Sequence, residues 1–260
     1  MAKVIVIGAG PAGIMAAIHA SKKHNVTILD GNDRIGKKLF ITGKGRCNVT
    51  NSKDISEFFD YIPGNPHFLY SALYSYTNED TMNFFENVGI KLKVERGGRV
   101  FPMSDKSSDI IKGLSIGLKE SNVQVKLNSK VTNIIYDANK IVGVEINNST
   151  KLYGDYFIIA TGGASYPLTG SRGEGQKFAK KLGHTIIELK PSLVPIELNE
   201  PWLKDLMGLS LKNISLSILK NNKVLYKNQG EMLFTNYGIS GPLVLSGSRY
   251  VKNEGSYEAS

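Results

Sequence analysis

Apolar positions recur along this chain in distinct rhythms, and each rhythm predicts an element. Val4 to Ile7 is an unbroken run of β-branched residues, which suits a parallel strand buried on both faces. Ile14, Ala17 and Ile18 follow at helical spacing, and Asn25 to Leu29 predicts a second strand. Between residues 66 and 89 two helices are expected. Phe68, Leu69, Ala72 and Leu73 line one face, Thr77 and Asp80 stand as a capping box, and Gly89 is placed as a C-terminal cap. Ile110, Leu114 and Leu118 repeat every fourth residue and mark a further amphipathic helix.

The rhythm then shortens. Val123 to Leu127, Val131 to Tyr136, Ile141 to Ile146 and Lys151 to Thr161 predict strands, with turn residues at Asp137-Ala138-Asn139 and Asn147-Asn148-Ser149. They read as a small antiparallel meander. Its last strand, Tyr156 to Ala160, is apolar on both faces and should return to the central parallel sheet. A helix to Leu182 ends at Gly183, and Pro191 to Pro195 looks like a domain crossing. Beyond it, Leu211 to Leu219 and Lys223 to Lys227 alternate as strands joined at Asn221-Asn222, and Asn253 to Ser260 is a polar tail. The expected organisation is α/β: residues 1–192 as a nucleotide domain and 193–260 as a β-rich second domain.

Candidate chemistry sits at the joints of this pattern. Gly8, Gly10 and Gly13 give a G-x-G-x-x-G spacing between the first strand and its helix. The first glycine permits the turn, the second lets a pyrophosphate approach the backbone, and the third lets helix and strand pack. Pro11 fits inside the helix start, where its missing N–H is no loss. Asp30 ends the second strand roughly 17 residues after Gly13, near the spacing at which an acid reaches a ribose hydroxyl. An acid there fits a free 2′-OH, and so the adenosine of FAD or NAD over NADP.

The stretch Gly36 to Asn51 is too rich in glycine and small polar residues for a regular element. Its cationic side chains and repeated N–H groups could surround a phosphate or a flavin ring. Cys47, the one cysteine, sits inside it; it is read as a bystander thiol more than a catalytic one. A single cysteine excludes an internal disulfide and the redox dithiol of disulfide reductases. His19, His24, His67 and His184 are far apart, so a metal centre is not expected.

Charge and hydropathy set outer bounds. The formal net charge is +9, but the lysines fall in scattered pairs, so attraction for an anionic cofactor explains the excess better than a nucleic-acid surface. No apolar stretch nears the ~20 residues needed to span a bilayer, and a cytoplasmic location is expected.

Five segments together carry a resemblance: the N-terminal glycine fingerprint, Thr42-Gly43-Lys44-Gly45-Arg46-Cys47-Asn48, Ala160-Thr161-Gly162-Gly163, the Ser165-Tyr166-Pro167 loop, and Phe234-Thr235-Asn236-Tyr237-Gly238-Ile239-Ser240-Gly241. In this order they resemble the bacterial NAD(P)/FAD-dependent oxidoreductases that include BaiN-like bile-acid reductases and aminoacetone oxidases, also labelled HI0933-like flavoproteins. The resemblance implies a Rossmann-like FAD domain carrying an inserted β-rich substrate domain. It implies that Gly8, Gly10, Ala12 and Gly13 hold the pyrophosphate and Asp30 the ribose. Lys38 and Thr42 to Arg46 would line the flavin side, Val131 would meet the adenine, and Thr161 and Gly162 would lie over the cofactor. FAD is the implied cofactor, NAD(P)H a candidate reductant, and a small molecule the substrate. Apart from the resemblance, Tyr166 and Tyr237 are candidate proton donors only by their place in glycine-rich loops, and each is read more readily as a packing residue. Such proteins return to the FAD domain after the insertion. A further C-terminal segment or a separate chain is therefore expected to complete the site. A tRNA-modifying flavoprotein, a truncated nucleotide-binding module and a flavin-free NAD dehydrogenase are the alternatives.

Overall fold

In a computed structural model of the chain, residues 1–138, 140–251 and 256–260 are described. The turn expected at 137–139 and the polar tail from 253 thus include positions outside the described residues. The chain divides into two compact units, Met1–Ile186 and Ile187–Ser260.

The first unit is built on β1 (Lys3–Ile7), helix α1 (Pro11–Ser21) and β2 (Asn25–Leu29). A small sheet follows from β3 (Thr50–Asn51), β4 (Leu92–Glu95) and β5 (Arg99–Pro102), with α2 (Tyr70–Ser75) and α3 (Asn78–Asn87) between its first two strands. Helix α4 (Ser107–Glu120) leads to β6 (Gln124–Lys126). Then come β7 (Val131–Asp137), β8 (Lys140–Ile146), β9 (Thr150–Tyr153), β10 (Tyr156–Ile159) and α5 (Glu174–Lys181).

The central sheet is parallel, in the order β10-β1-β2-β6. Along β1 the side chains alternate between two cores. Val4 and Val6 face α1, α3 and α4, while Ile5 and Ile7 face the β7–β8–β9 meander and α5, and all four are buried. The apolar run therefore has no polar face, as a doubly covered strand requires. Ile110, Leu114 and Leu118 form the buried stripe of α4.

The α3 signals are realised in full. Thr77 and Asp80 form a reciprocal capping box. At the other end the Gly89 N–H donates to Glu86 O and the Ile90 N–H to Phe85 O, with Gly89 at φ +81°. This is a Schellman closure with its apolar contact.

Two expectations are corrected. Val123 to Leu127 does not open the meander: β6 pairs in parallel with β2, Thr27 opposite Gln124. The crossover through α4 returns the chain in the direction of β2, which only a parallel partner accepts. The meander is β7–β8–β9 alone. The strand at Tyr156 does rejoin the central sheet, but as its edge, so Tyr156 is 61% exposed and Ile159 38%.

The second unit holds β11 (Ile196–Glu197), β12 (Ser210–Lys220), β13 (Lys223–Thr235), β14 (Gly238–Ser240), helix α6 (Pro242–Gly247) and β15 (Glu258–Ala259). Its antiparallel sheet runs β11-β14-β13-β12-β15 over a core of Leu203, Leu216, Met232, Phe234, Ile239, Leu243 and Val244. Asn221 and Asn222 both have positive φ, the two-residue turn whose twist suits a hairpin. The strand expected to stop at Lys227 continues to Thr235.

Candidate functional site

A cavity of about 710 Å³ opens at the C-terminal ends of β1, β2 and β10, wholly within the first unit. Its floor is glycine backbone, and two glycines are fixed by sterics. A Cβ on Gly13 would stand 2.0 Å from Gly8 O, and one on Gly8 would meet Ala160 O at 2.5 Å. Gly8 also sits at φ +111°. Gly10 differs: a Cβ there meets nothing within 4 Å and would project into open space.

Gly10 caps α1 with no side-chain hydrogen bond, and the first turn holds no acid. The first bond across that turn runs from Ile14 N–H to Gly10 O at 2.9 Å. The N–H groups of Ala12 and Gly13 precede it, so they belong to the unsatisfied set at a helix start. With the helix dipole they favour an anion there.

Asp30 holds the turn together. Its Oδ2 accepts from Ala9 N–H at 2.7 Å, and its Oδ1 accepts from the backbone and side-chain amides of Asn32 at 2.8 and 2.9 Å. Three of roughly four acceptor directions are thus used. Lys37, Lys38, Lys130 and Arg172 line the cavity against two carboxylates, Asp30 and Glu174. The balance is cationic, and Lys38 Nζ reaches Ser165 Oγ at 3.4 Å across the lining.

Of the residues singled out from sequence, Gly8, Gly10, Pro11, Ala12, Asp30, Lys38, Val131, Ala160, Thr161, Gly162 and Gly163 all line this cavity. Gly13 lies beneath it, against Gly8. Thr42, Gly43, Gly45, Arg46 and Cys47 do not line it. Arg46 is engaged elsewhere: its guanidinium donates to Asp105 and Glu95 and lies 4.2 Å from the Phe101 ring centroid. Lys93 joins Asp105 at 2.6 Å. The hydrogen bond from Arg46 holds the Glu95 carboxyl below its usual range, and those from Lys93 and then Arg46 do the same for Asp105. Cys47 is 1% exposed, and burial pushes its thiol up against a smaller opposing hydrogen bond with Thr42.

Sequence reasoning passed over Lys130, Arg172 and the wall from Leu168 to Ser171, and it named Lys37 only as one of the cations of the stretch from Gly36. The glycines at 162, 163, 170 and 173 were the available signal for that wall. Tyr166, between two lining residues, is 67% exposed at φ +51°; Tyr237 is 51% exposed in the second unit. Neither is a packing residue.

The family described as HI0933-like protein Rossmann domain matches residues 2–241. The chain is 31% identical to a 3-dehydro-bile acid delta(4,6)-reductase of Clostridium scindens, over 99% of this chain and 62% of that protein. It is 34% identical to a ribosomal RNA dihydrouridine synthase of Haemophilus influenzae, over 95% of this chain and 61% of that protein. By name, both relatives are enzymes, and this chain spans less than two thirds of either. A flavocytochrome c3 fumarate reductase structure superposes with a TM-score of 0.53 at 20% identity, covering 82% of this chain and 47% of that one, a likeness of fold. The chain belongs to the HI0933-like Rossmann domain family.

Proposed function

We propose that this chain forms the FAD-binding part of a flavin-dependent oxidoreductase that reduces a carbon–carbon double bond conjugated to a carbonyl group. The observation that carries this reading is Gly10. The one fingerprint glycine whose Cβ direction is empty stands at an uncapped helix start in a cationic cavity. A pyrophosphate fits there, on the N–H groups of Ala12 and Gly13. Lys37, Lys38, Lys130 and Arg172 balance its charge. Asp30 keeps an acceptor direction for a ribose hydroxyl, and its charge opposes a 2′-phosphate. Val131 offers backbone groups to the adenine, and Thr161 to Gly163 border the other side.

The reaction class rests on the relatives' names. Reduction of a 3-oxo-Δ4,6 steroid and conversion of uridine to dihydrouridine both add hydrogen across an alkene conjugated to a carbonyl. A bound flavin supplies hydride for such a step. This chain's residues hold and orient the dinucleotide through backbone donors, and Tyr166 at the cavity wall is the nearer of the two candidate proton donors. In this reading NAD(P)H is the reductant, the location is cytoplasmic, and residues 193–260 belong to the substrate domain. A segment matching the rest of the relatives' length, in the same chain or a separate one, completes the flavin side.

The test is the visible spectrum of the purified chain after FAD addition and desalting, beside Gly10→Val. The wild type is expected to retain flavin. The variant, whose added Cβ meets no protein atom within 4 Å, should keep its melting temperature and bind FAD about 100-fold more weakly. A folded Gly10→Val chain with full flavin would falsify the assignment.

A second reading keeps the flavin and makes the substrate a uracil base within RNA. The dihydrouridine synthase relative and the +9 charge favour it.

A further inference from the structure

The cavity wall from Thr161 to Arg172 has no core of its own. None of its residues is buried, and the bonds within it are short-range: the Thr169 N–H and Oγ1 both donate to Tyr166 O, and the Gly170 N–H donates to Pro167 O. The backbone turns through positive φ at Gly162 (+74°), Tyr166 (+51°) and Gly170 (+98°). A segment with so few buried contacts opens at low cost. Yet this one crosses the site. It leaves the end of β10, and in the sheet order β10-β1-β2 the fingerprint strand lies between β10 and β2. Among the described residues, two hydrogen bonds tie it to the stretch that follows β2. Lys38 Nζ donates to Ser165 Oγ at 3.4 Å, and Asn32 Nδ2 donates to Thr169 O at 3.2 Å.

Asn32 is the stronger tie, because it is anchored at both ends. Its backbone N–H and one side-chain N–H donate to Asp30 Oδ1 at 2.8 and 2.9 Å. The other side-chain N–H is free to reach Thr169 O, 137 residues away in sequence. Turned the other way, the amide would set its oxygen against two acceptors, so its orientation is fixed. Gly170 leaves room for the approach, since a Cβ there would stand 2.5 Å from Asn32 Nδ2. Lys38 makes its bond from a long, entropically costly stem. We propose that Asn32 is a positioning residue that latches the 162–172 segment across the cavity, so that opening of this latch sets how fast a dinucleotide enters and leaves. The inference rests on the FAD reading above and deepens it. The amide that holds the segment also holds Asp30, the acid assigned to the ribose, so closure and alignment of that carboxylate go together.

The experiment compares the wild-type chain with Asn32→Ala, following FAD uptake and release by stopped-flow flavin fluorescence. Loss of one neutral hydrogen bond across the cavity should raise both rates about fivefold, with Tm within about 2 °C of wild type. A merely structural role would lower Tm and speed release alone. In the ligand-free chains, tryptic cleavage after Arg172 should be about fivefold faster in Asn32→Ala, as the open form is more populated. A second variant, N32C/T169C, makes the latch covalent. Reduced, it should behave as Asn32→Ala. Bridged by dibromobimane with FAD in place, it should release flavin at least about tenfold more slowly than wild type, and bridged empty it should take flavin up at least about tenfold more slowly. Unchanged uptake in a folded Asn32→Ala chain, or exchange in the bridged protein as fast as in wild type, overturns the latch. A wild type that takes up no FAD sinks the flavin reading instead. Cleavage after Arg172 then decides the latch by itself, and equal rates in wild type and Asn32→Ala overturn it.

Discussion

Two stretches of this chain look alike on paper: Gly8 to Gly13, and Thr42 to Asn48. Both are glycine-rich turns, and each qualifies as a phosphate cradle by composition. The structure uses them oppositely. At the first, helix N–H groups remain uncommitted, no acid stands in the first helical turn, and the space in front of Gly10 is empty. At the second, Arg46 is clamped between Glu95 and Asp105 and packed on Phe101, and Cys47 is sealed into the core. Composition reports which donors exist. Their availability depends on what folds against them, here on β4 and the turn after β5.

The comparison breaks most sharply inside the first stretch. Gly10 and Gly13 share one motif, yet one faces open space and the other faces Gly8 O at 2.0 Å. Gly13→Ala should therefore cost about 3 kcal/mol of stability as an overpacked contact against rigid backbone, a fall of roughly 6–12 °C in Tm. Gly10→Val should leave Tm nearly unchanged and remove the flavin. Calorimetry and absorption spectra on the two variants separate the roles. Equal destabilisation would mean that the fingerprint is structural throughout.

The clamp gives a smaller and pH-dependent effect. Glu95 and Asp105 have folded-state pKa values below their usual range, held there chiefly by Arg46 and by Lys93. Groups depressed in the folded state stabilise it above their unfolded pKa, near 4, and that stability is lost as pH falls through the folded values. Arg46→Met should lower Tm at pH 7, flatten the fall in Tm between about pH 4 and pH 2, and change FAD affinity less than about threefold. Strong loss of FAD affinity with an unaltered acid limb would return Arg46 to the cofactor site.

How much of this was legible in the sequence follows the same division. β1, α1, β2, the Thr77 capping box and the Gly89 closure are written locally, in period and in cap residues, and they form as expected. β6 was misassigned because the identity of a three-residue strand's partner is not encoded in the strand. β13 was cut short because Lys227, Asn228 and Gln229 are three polar residues in succession and break the alternation, although Lys227 and Gln229 lie on the solvated face that such a strand needs. The segment 42–47, with left-handed backbone at Gly43, Lys44, Gly45 and Cys47, was read as an irregular cradle for a phosphate or flavin. It is a fixed turn whose use depends on acids 49 and 59 residues from Arg46 in sequence, Glu95 and Asp105.

The smallest effect tests that fixed turn at one residue. Cys47 is buried yet holds φ +59°, a region that disfavours any side chain by about 1–2 kcal/mol. Truncation to Ala keeps that strain and loses the sulfur, which should cost about 1 kcal/mol. Truncation to Gly also loses the Cβ, about 0.8 kcal/mol, and gains unfolded-state entropy of about 0.4–1 kcal/mol, but it relieves the strain. The two variants should therefore unfold within about 0.5 kcal/mol of each other in urea, where an ordinary buried Ala-to-Gly change would separate them by more than 1 kcal/mol. The thiol itself, pushed up by burial, should resist iodoacetamide at pH 8 in the folded protein and react in urea. A wide gap in favour of Ala would mean that the backbone at 47 relaxes out of the left-handed region. The second stretch would then be adaptable, and the contrast with the rigid floor at Gly8 and Gly13 would disappear.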